Sequence, residues 1–259
     1  MYPLSDKVAV ITGASSGIGR ATVLALAQAG ADVALAARRE DALEAVAAEV
    51  RGLGRRALVV PTDVAHQAQA EHLVDATLAH FGRLDIIVAN AGIYVRGPIE
   101  MLTAADFERS MAVNYFGTVY PVLAALPHLR AQGSGHIVLI SSMDGKKAVR
   151  TDAPYAATKF AVAGFGDALR QDLYGTGVDV SIIFPGRVAT PFIADMKIPA
   201  ISAPIAAEAV AAAVVKAIRR RQAEVILPFS ARFLLFADRL SPRLGDWAVR
   251  TFRLQGLEE

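Results

Sequence analysis

The sequence predicts an α/β fold, a doubly wound and mostly parallel seven-stranded sheet with helices on both faces. Short apolar runs alternate along the whole chain with longer segments whose apolar residues recur about every 3.6 positions. The apolar runs also lack the alternation of a half-exposed strand, which is typical of parallel strands buried on both faces. Together these two observations favour strands joined by helical crossovers.

The seven apolar runs are interpreted as strands. They are Val8–Ile11, Val33–Ala36, Ala57–Val60, Ile86–Ala89, Ile137–Ile140, Val178–Phe184 and Val225–Leu227. Alanine-rich stretches between them, among them Ala21–Ala29, Leu43–Val50 and Ala206–Ile218, have helical spacing. Because parallel strands end at one edge of the sheet, ligand-binding residues are expected just beyond the carboxyl ends of the strands.

Composition excludes several classes of protein. The 259 residues are 54% hydrophobic and 20% charged, which suits a single domain over residues 1–259 with one large core. A net charge of +2 builds no field that would favour nucleic acid. There is no cysteine and the five histidines lack metal-ligand spacing, so no metal site is expected. Without a signal-peptide pattern or a membrane-spanning apolar stretch, a soluble cytoplasmic enzyme is expected.

A glycine-rich loop follows the first strand, in the order Thr12-Gly13-Ala14-Ser15-Ser16-Gly17-Ile18-Gly19. Gly13 would permit the tight turn, Gly17 would let the backbone approach a pyrophosphate, and Gly19 would let the next helix pack close to the sheet. The free N–H groups at the start of that helix favour phosphate. The loop therefore predicts dinucleotide binding, with Ser15, Ser16 and Ile18 among the binding residues.

The end of the second strand indicates which dinucleotide binds. A carboxylate there would bind the 2′-hydroxyl of NAD, whereas an arginine suits the 2′-phosphate of NADP. Ala37 stands at the strand end and Arg38 and Arg39 follow, so NADP(H) is favoured over NAD(H), with Arg38 as the main contact. Glu40 and Asp41 are interpreted as first-turn residues of the next helix. Two solvated arginines are the alternative.

Tyr155 and Lys159 open a long helical segment and lie on one helix face, because they are four residues apart. A free phenol has a pKa of about 10 and is a poor base at neutral pH. A nearby ammonium group favours the phenolate and would lower that pKa towards working pH. The pair therefore indicates a proton-transfer group, although this spacing alone arises often on helices.

The ordered motifs together resemble the short-chain dehydrogenase/reductase family, in its short single-domain branch. They are the Thr-Gly-x-x-x-Gly-x-Gly loop, Asn90-Ala91-Gly92 after the fourth strand, Ser142 after the fifth strand and 13 residues before Tyr155, and Pro185-Gly186-Arg187-Val188-Ala189-Thr190 after the sixth strand. The resemblance covers about residues 7–190. It implies the Rossmann fold, hydride transfer between a nicotinamide and a carbonyl or alcohol, and a homodimer or homotetramer.

The resemblance also implies catalytic roles. Tyr155 would act as general acid/base, Lys159 would lower its pKa and bind the nicotinamide ribose, and Ser142 would hold the substrate oxygen. The side chain of Asn114, within the helical region Thr103–Leu129, would anchor a water that links Lys159 to solvent. An ordinary polar helix residue is the alternative for Asn114.

Further cofactor contacts come from the strand ends. The resemblance puts Asp63, followed by Val64, near the adenine amino group, and Asn90, Ala91 and Gly92 beside the adenosine ribose. In the segment that Pro185 and Gly186 begin, Val188 would meet the carboxamide and Thr190 the diphosphate. Asp63 could instead cap a helix, and Asn90 could hold a turn.

The substrate side is less specific. In the family, the apolar segment 190–205, with Phe192, Ile193, Met196, Ile198 and Ile201, would be the substrate lid, which favours a moderately apolar substrate. The candidate substrate contacts are Tyr94, Ser142, Met143, Asp144 and Phe192, and each could equally be plain packing. The tail 229–259 combines apolar residues with arginines. Packing or a subunit interface, a lid element and a membrane-surface helix are its three interpretations.

The sequence thus predicts an NADP(H)-dependent oxidoreductase, a short-chain alcohol dehydrogenase or carbonyl reductase that interconverts an alcohol and a ketone or aldehyde. The alternatives are a non-catalytic dinucleotide sensor on the same fold, an NAD-dependent dehydrogenase, and an epimerase or dehydratase of the longer branch. The sensor would be expected to lack the tyrosine or lysine. The longer branch of the family usually has a different glycine spacing and a larger substrate domain, which 259 residues hardly accommodate.

Overall fold

A computed structural model of the chain describes residues 1–193, 203–252 and 254. Its centre is a sheet of seven parallel strands in the order β3-β2-β1-β4-β5-β6-β7. The strands are β1 (Val8–Thr12), β2 (Asp32–Ala37), β3 (Ala57–Pro61), β4 (Ile86–Ala89), β5 (Gly135–Ile140), β6 (Val178–Pro185) and β7 (Glu224–Leu227). The predicted fold class is confirmed, and every predicted apolar run forms a strand. All pairings between these strands are parallel.

Helices connect the strands and continue beyond the last one. Within the described residues they are α1 (Gly17–Gln28), α2 (Glu40–Gly52), α3 (Gln67–Phe81), α4 (Ala104–Ser110), α5 (Gly117–Gln132), α6 (Ala153–Asp172), α7 (Ala207–Arg220), α8 (Ala231–Leu240) and α9 (Pro242–Thr251). Glu40 and Asp41 lie in the first turn of α2, as expected from the favourable interaction of acidic groups with a helix N-terminus.

The two faces of the sheet are covered by different helices. Helices α1, α2 and α7 pack on one face, where Val23, Leu43 and Val210 are fully buried. Helices α3, α5 and α6 pack on the other face through residues such as Leu73 and Val122. Burial on both faces explains why the strands are apolar throughout, since neither side of the sheet meets water.

The crossovers run in opposite directions from the centre of the sheet. Strand β1 pairs with β2 on one side and with β4 on the other. The loops after β1 and β4 therefore turn to opposite faces and leave a crevice at their carboxyl ends. This switch point sets the location of the site described below.

The predicted helical region Thr103–Leu129 is interrupted. A π-helical segment, Met111–Phe116, separates α4 from α5. The Thr118 hydroxyl donates to the carbonyl of Asn114, and Pro121 has no N–H for the carbonyl of Gly117, so the regular hydrogen-bond ladder is disturbed here. The interruption turns Asn114, which is fully buried, towards the centre of the molecule.

Two predicted segments reach beyond the described residues. In the predicted lid, Met196, Ile198 and Ile201 lie outside the described part of the chain, whereas Phe192 lies within it. Most of the predicted tail segment forms α8 and α9. In the described ranges, no helix combines the length and the apolar character that crossing a membrane requires.

Gly19→Ala is expected to lower the free energy of unfolding by at least about 2 kcal/mol, because overpacking against backbone cannot relax through side-chain rotation. An added Cβ would lie well inside van der Waals contact of the Gly13 carbonyl oxygen and 2.6 Å from Asn90 Nδ2. Urea denaturation measures the change.

Gly164→Ala is the matched control, because a Cβ at this position in α6 meets open space. This variant should be as stable as the wild type or gain up to about 1 kcal/mol from helix propensity. Equal stability of the two variants would contradict the close approach of α1 to the β1 loop.

Candidate active site

One large cavity of about 970 Å³ opens at the carboxyl ends of the strands. Nearly every residue that the sequence nominates for the site lines it. These are Gly13, Ser15, Ser16, Gly17, Ile18, Arg38, Arg39, Asp63, Val64, Asn90, Ala91, Gly92, Tyr94, Ser142, Met143, Asp144, Tyr155, Lys159, Pro185, Gly186, Val188, Thr190 and Phe192. Gly19 and Asn114 lie behind the wall, where they support it.

The glycine loop has the conformation that its sequence predicts. Gly13 and Gly17 have φ values of +66° and +53°, which L side chains rarely adopt. A Cβ on Gly17 would meet Thr190 Cγ2 at 3.0 Å, and one on Gly13 would meet Asn90 Nδ2 at 2.7 Å. Side chains at these positions would therefore fill the floor on which a pyrophosphate would lie.

The start of α1 faces the same floor. Ser16 is the N-cap residue, and among the described residues no side chain caps this terminus. No acidic residue stands in the first turn either. The first N–H groups of the helix and its partial positive charge are therefore available to an anion, so the residues present fit a dinucleotide phosphate.

Arg38 and Arg39 are exposed at the edge of the cavity, directly after the last residue of β2, Ala37. Arg39 Nη2 lies 3.5 Å from Ser15 Oγ in the glycine loop. Both guanidinium groups therefore lie at the carboxyl end of β2, and no carboxylate ends this strand.

The residues expected near adenosine show two different structural roles. Asp63 accepts the backbone N–H of Ala65 at 3.1 Å, while His66 is the N-cap of α3, so Asp63 stabilises the preceding loop and does not cap the helix. Asn90 Nδ2 donates to the carbonyls of Thr12 at 2.9 Å and Gly13 at 3.4 Å. Asn90 therefore joins the ends of β1 and β4.

Tyr155, Lys159 and Ser142 meet at the inner end of the cavity. Tyr155 and Lys159 lie on α6, and Ser142 follows β5. Lys159 Nζ donates to the Ile140 carbonyl at 3.0 Å and lies 5.5 Å from the centre of the Tyr155 ring. Burial has the largest effect on the pKa of Tyr155 and raises it, whereas the nearby Ser142 hydroxyl acts to lower it.

Burial dominates the electrostatics of this corner. It raises the pKa of Tyr155 well above its usual range, and the Asp144 and Asp152 carboxylates raise it further. Burial lowers the pKa of Lys159 to about 8. Desolvation thus penalises both charged forms, and Lys159 Nζ binds the Ile140 carbonyl. The lowering of the phenol pKa by Lys159 stays a prediction.

Asn114 braces the site through its side chain. Oδ1 accepts the Ile93 N–H at 2.7 Å, and Nδ2 donates to the Ile93 carbonyl at 3.0 Å and to Thr158 Oγ1 at 3.1 Å. Both amide hydrogens are therefore used, which leaves one lone pair of Oδ1 for any water. The anchored water stays a prediction, whereas the clamp between the β4 loop and α6 is a direct structural role that sequence reasoning missed.

A buried polar cluster stands beside Tyr155, and sequence reasoning named only part of it. The Tyr94 hydroxyl donates to Asp152 Oδ2 at 2.6 Å, and Arg96 Nε lies 3.4 Å from Asp152 Oδ1. The Tyr94 ring packs edge-on against Tyr155, with 4.8 Å between ring centres. The available signal for Asp152 was its position three residues before Tyr155, whereas Arg96 carried none.

Asp144 belongs to the same cluster. Its backbone N–H donates to Ser142 Oγ at 3.1 Å, and the Ser142 hydroxyl lies 3.4 Å from its Oδ2. Burial and the Asp152 carboxylate raise the pKa of Asp144 to about 7, although the Arg187 guanidinium acts in the opposite direction. The cavity thus holds a carboxyl group that gains or loses its proton near neutral pH.

The remaining wall is apolar. Phe192 stacks on Tyr94 with 5.4 Å between ring centres, in the described part of the predicted lid. Helices α8 and α9 close the other side, together with the residues that follow α9. Their lining residues are Ala231, Phe233, Leu234, Ala237, Trp247, Ala248, Phe252 and Leu254. Residues of the tail therefore form a wall of the cavity and also leave large apolar side chains exposed. The three interpretations of the tail stay predictions.

The chain matches known proteins over most of its length. The short chain dehydrogenase family profile matches residues 7–198. The ketoacyl reductase HetN of Nostoc sp. is 33% identical over 97% of this chain and 91% of its own. The glycine betaine reductase ATRR of Emericella nidulans is 41% identical over 74% of this chain, which covers 15% of that longer protein.

Solved structures give the same relationship. A short-chain dehydrogenase/reductase from Burkholderia phymatum in complex with NAD has a TM-score of 0.87 and 27% identity, covering 94% of this chain and 96% of that one. A short chain dehydrogenase from Burkholderia cenocepacia in complex with NADP has a TM-score of 0.81 and 32% identity, with 89% and 99% covered.

The doubly wound sheet, the glycine loop at its switch point and these matches define an oxidoreductase that uses a nicotinamide dinucleotide. The chain belongs to the short-chain dehydrogenase/reductase family.

The free energy of unfolding of Asp144→Asn, relative to that of the wild type, is expected to increase as the pH rises. The folded protein holds the Asp144 proton up to about pH 7, whereas the unfolded chain releases it near 3.8. The stability that this proton contributes is therefore fully present below the pKa of Asp144 in the unfolded chain. It is lost as the pH rises through the pKa of Asp144 in the folded protein. Between about pH 4 and about pH 8, the difference in unfolding free energy should grow by roughly 2–4 kcal/mol. Urea denaturation across this range measures it.

Asp167→Asn is the control, because this carboxylate is exposed on α6 and pairs with Arg170. Its stability should follow the wild type in parallel at every pH. A parallel course for Asp144→Asn as well would show that the Asp144 carboxyl is solvated and ionised.

Proposed function

We propose that the protein is an NADP(H)-dependent carbonyl reductase and alcohol dehydrogenase in which Tyr155 is the general acid/base. The observation that carries this proposal is the convergence of Tyr155, Ser142 and Lys159 in the cavity that the glycine loop also lines. A proton-transfer group and a dinucleotide floor in one cavity suit the reduction of a carbonyl at the nicotinamide.

Tyr155, Ser142 and Lys159 have different roles in the proposed reaction. The nicotinamide, when bound, supplies hydride in reduction and accepts it in oxidation. Tyr155 donates its phenolic proton to the carbonyl oxygen in reduction and takes it back in oxidation. Ser142 donates a hydrogen bond to the same oxygen and fixes its position. Lys159 binds the ribose hydroxyls and, once turned from the Ile140 carbonyl, stabilises the phenolate.

The protonation state of Tyr155 favours reduction. Burial and the neighbouring Asp144 keep the phenol protonated at neutral pH. A protonated phenol is the form that a carbonyl reduction needs, whereas alcohol oxidation begins from the phenolate. As the pH rises, the rate of alcohol oxidation should therefore increase more than the rate of carbonyl reduction.

The preference for NADP(H) rests on charge at the end of β2. Arg38 and Arg39 stand there in place of a carboxylate, and a guanidinium can bind a 2′-phosphate through two hydrogen bonds. The related structures bind NAD in one case and NADP in another, so the choice follows from this chain's own residues.

The substrate is a small, moderately apolar carbonyl compound or alcohol. Phe192 and the α8–α9 wall provide apolar surface, while Tyr94, Met143 and Asp144 lie closest to the reacting corner. We further propose a cytoplasmic location and a homodimer or homotetramer. Exposed Phe116, Leu123 and Phe160 support the association of copies, since a solitary chain would leave them in water.

The direct test measures the absorbance of NADPH, with NADH in parallel, while the protein acts on a panel of ketones, aldehydes and alcohols. Consumption of NADPH with at least one carbonyl compound is expected. No change in either cofactor across a broad panel would contradict the proposal and favour a sensor.

Tyr155→Phe is expected to reduce kcat by about 100-fold or more, because the proton donor is lost while the ring that fills the site remains. NADPH binding should change little, and the quenching of protein fluorescence by NADPH measures it. Tyr174→Phe, at an exposed position, is the control and should retain normal turnover. Near-normal activity of Tyr155→Phe would refute the assigned role.

Arg38→Glu is expected to raise KM for NADPH by about 10–100-fold, because a charge-assisted hydrogen bond to the 2′-phosphate is replaced by repulsion. KM for NADH should change much less. Arg219→Glu, on the exposed end of α7, is the control. An equal effect of Arg38→Glu on both cofactors would remove the basis for NADP preference.

A further inference from the structure

The outer surface of α8 and α9 is unusually apolar for a surface exposed to water. Phe229, which precedes α8, is 68% exposed, and Phe233 and Phe236 on α8 are 73% and 64% exposed. Leu240 on α8 is 66% exposed and Trp247 on α9 is 57% exposed. Isolated exposed apolar residues need no explanation, but a run of large ones on two adjacent helices indicates a partner. We call Phe229, Phe233, Phe236, Leu240 and Trp247 the tail face.

Basic residues surround the tail face. Arg232, Arg239, Arg243 and Arg250 are all exposed, and the Arg232 guanidinium lies 5.1 Å from the centre of the Phe229 ring. Aromatic side chains with interspersed arginines are typical of helices that lie in the interface of a lipid bilayer. The long arginine side chains can reach the headgroups while the rings enter the acyl region.

The acidic residues of the same two helices point elsewhere. Asp238 and Asp246 both bind Lys147, with Nζ–Oδ1 distances of 2.8 and 2.7 Å. Lys147 belongs to the loop that follows Ser142 and lines the cavity. With Lys147 and these two carboxylates counted, the four arginines leave an excess of three positive charges around the tail face, which makes it complementary to an anionic surface.

We propose that the tail face docks the protein onto an anionic membrane surface, with α8 and α9 lying along the bilayer. A second copy of the chain is a poorer occupant. In a symmetric contact the same basic patch lies on both subunits, so the excess positive charge of one copy would face that of the other while Asp238 and Asp246 stay bound to Lys147. An anionic lipid surface compensates these charges and accepts the aromatic rings as well.

The same two helices also line the cavity, so docking on a membrane would bring the cavity close to the bilayer. Leu234 and Ala248 line the cavity, as do Phe233 and Trp247 of the tail face, whereas Phe229, Phe236 and Leu240 do not line it. The wall of the substrate cavity is therefore one helix pair thick on the side of the tail face. An apolar substrate dissolved in the bilayer would meet the cavity through this wall.

The test uses the full chain and vesicles, with no substrate or cofactor, so its result is independent of the proposed function. Vesicles of phosphatidylcholine alone and with phosphatidylglycerol are pelleted after incubation with the protein. Binding to the anionic vesicles is expected, with a decrease at high salt. Trp247 is the single tryptophan of the chain, so its fluorescence should shift to shorter wavelength and be quenched by brominated lipid.

Two sets of variants separate charge from apolar contact. Arg239→Gln combined with Arg243→Gln should weaken binding by about 25-fold, at about fivefold for each arginine near the surface. Phe229→Ser combined with Phe236→Ser should abolish the Trp247 shift, and circular dichroism checks that this variant is folded. The control is Arg219→Gln combined with Arg220→Gln on α7, which should bind as the wild type does.

Three results would contradict the proposed docking on a membrane. Absence of binding and of a Trp247 shift with anionic vesicles would overturn the proposal. Equal binding to neutral vesicles would also overturn it, since the arginines would then have no role. If Phe229→Ser with Phe236→Ser dissociates an oligomer and no vesicle binding occurs, the tail face is a contact between copies of the chain.

Discussion

The junction between the ends of β1 and β4 is the constraint on which the site depends. Thr12 Oγ1 accepts the backbone N–H groups of Asn90 and Ala91 at 3.0 and 3.1 Å, and Asn90 Nδ2 returns hydrogen bonds to Thr12 and Gly13. These bonds hold two loops that leave the sheet in opposite directions. The space between the loops is the crevice, so its floor has the rigidity of the sheet itself.

The corner that contains Tyr155 and Lys159 is buried above this floor, and burial has two opposing effects. It excludes water, which strengthens every polar contact to a substrate, and it penalises the charged forms of Tyr155 and Lys159. Burial therefore opposes the ionised form of both side chains, and a polar group bound beside them would lower this penalty.

The sequence predicts the sheet and the cofactor floor well because both depend on local patterns. A strand buried on two faces must be apolar throughout, and a tight phosphate loop must contain glycine, as at Gly13 and Gly17. The polar cluster depends instead on contacts distant in sequence, since Arg96 and Asp152 are 56 residues apart. The π-helical segment at Asn114 was equally hidden, because its apolar spacing resembles that of an ordinary helix.

The two halves of the cavity impose an orientation on what binds there. The reacting corner is polar, and Asp144 joins Tyr155 there, while the opposite wall from α8 and α9 is apolar. A molecule with its carbonyl group at one end and an apolar body at the other satisfies both walls at once. The reverse orientation would bury the Asp144 carboxyl group against hydrocarbon, which costs free energy. Lys147 lies in the loop that follows Ser142 and binds Asp238 on α8 and Asp246 on α9, so this side chain links the apolar wall to the polar corner.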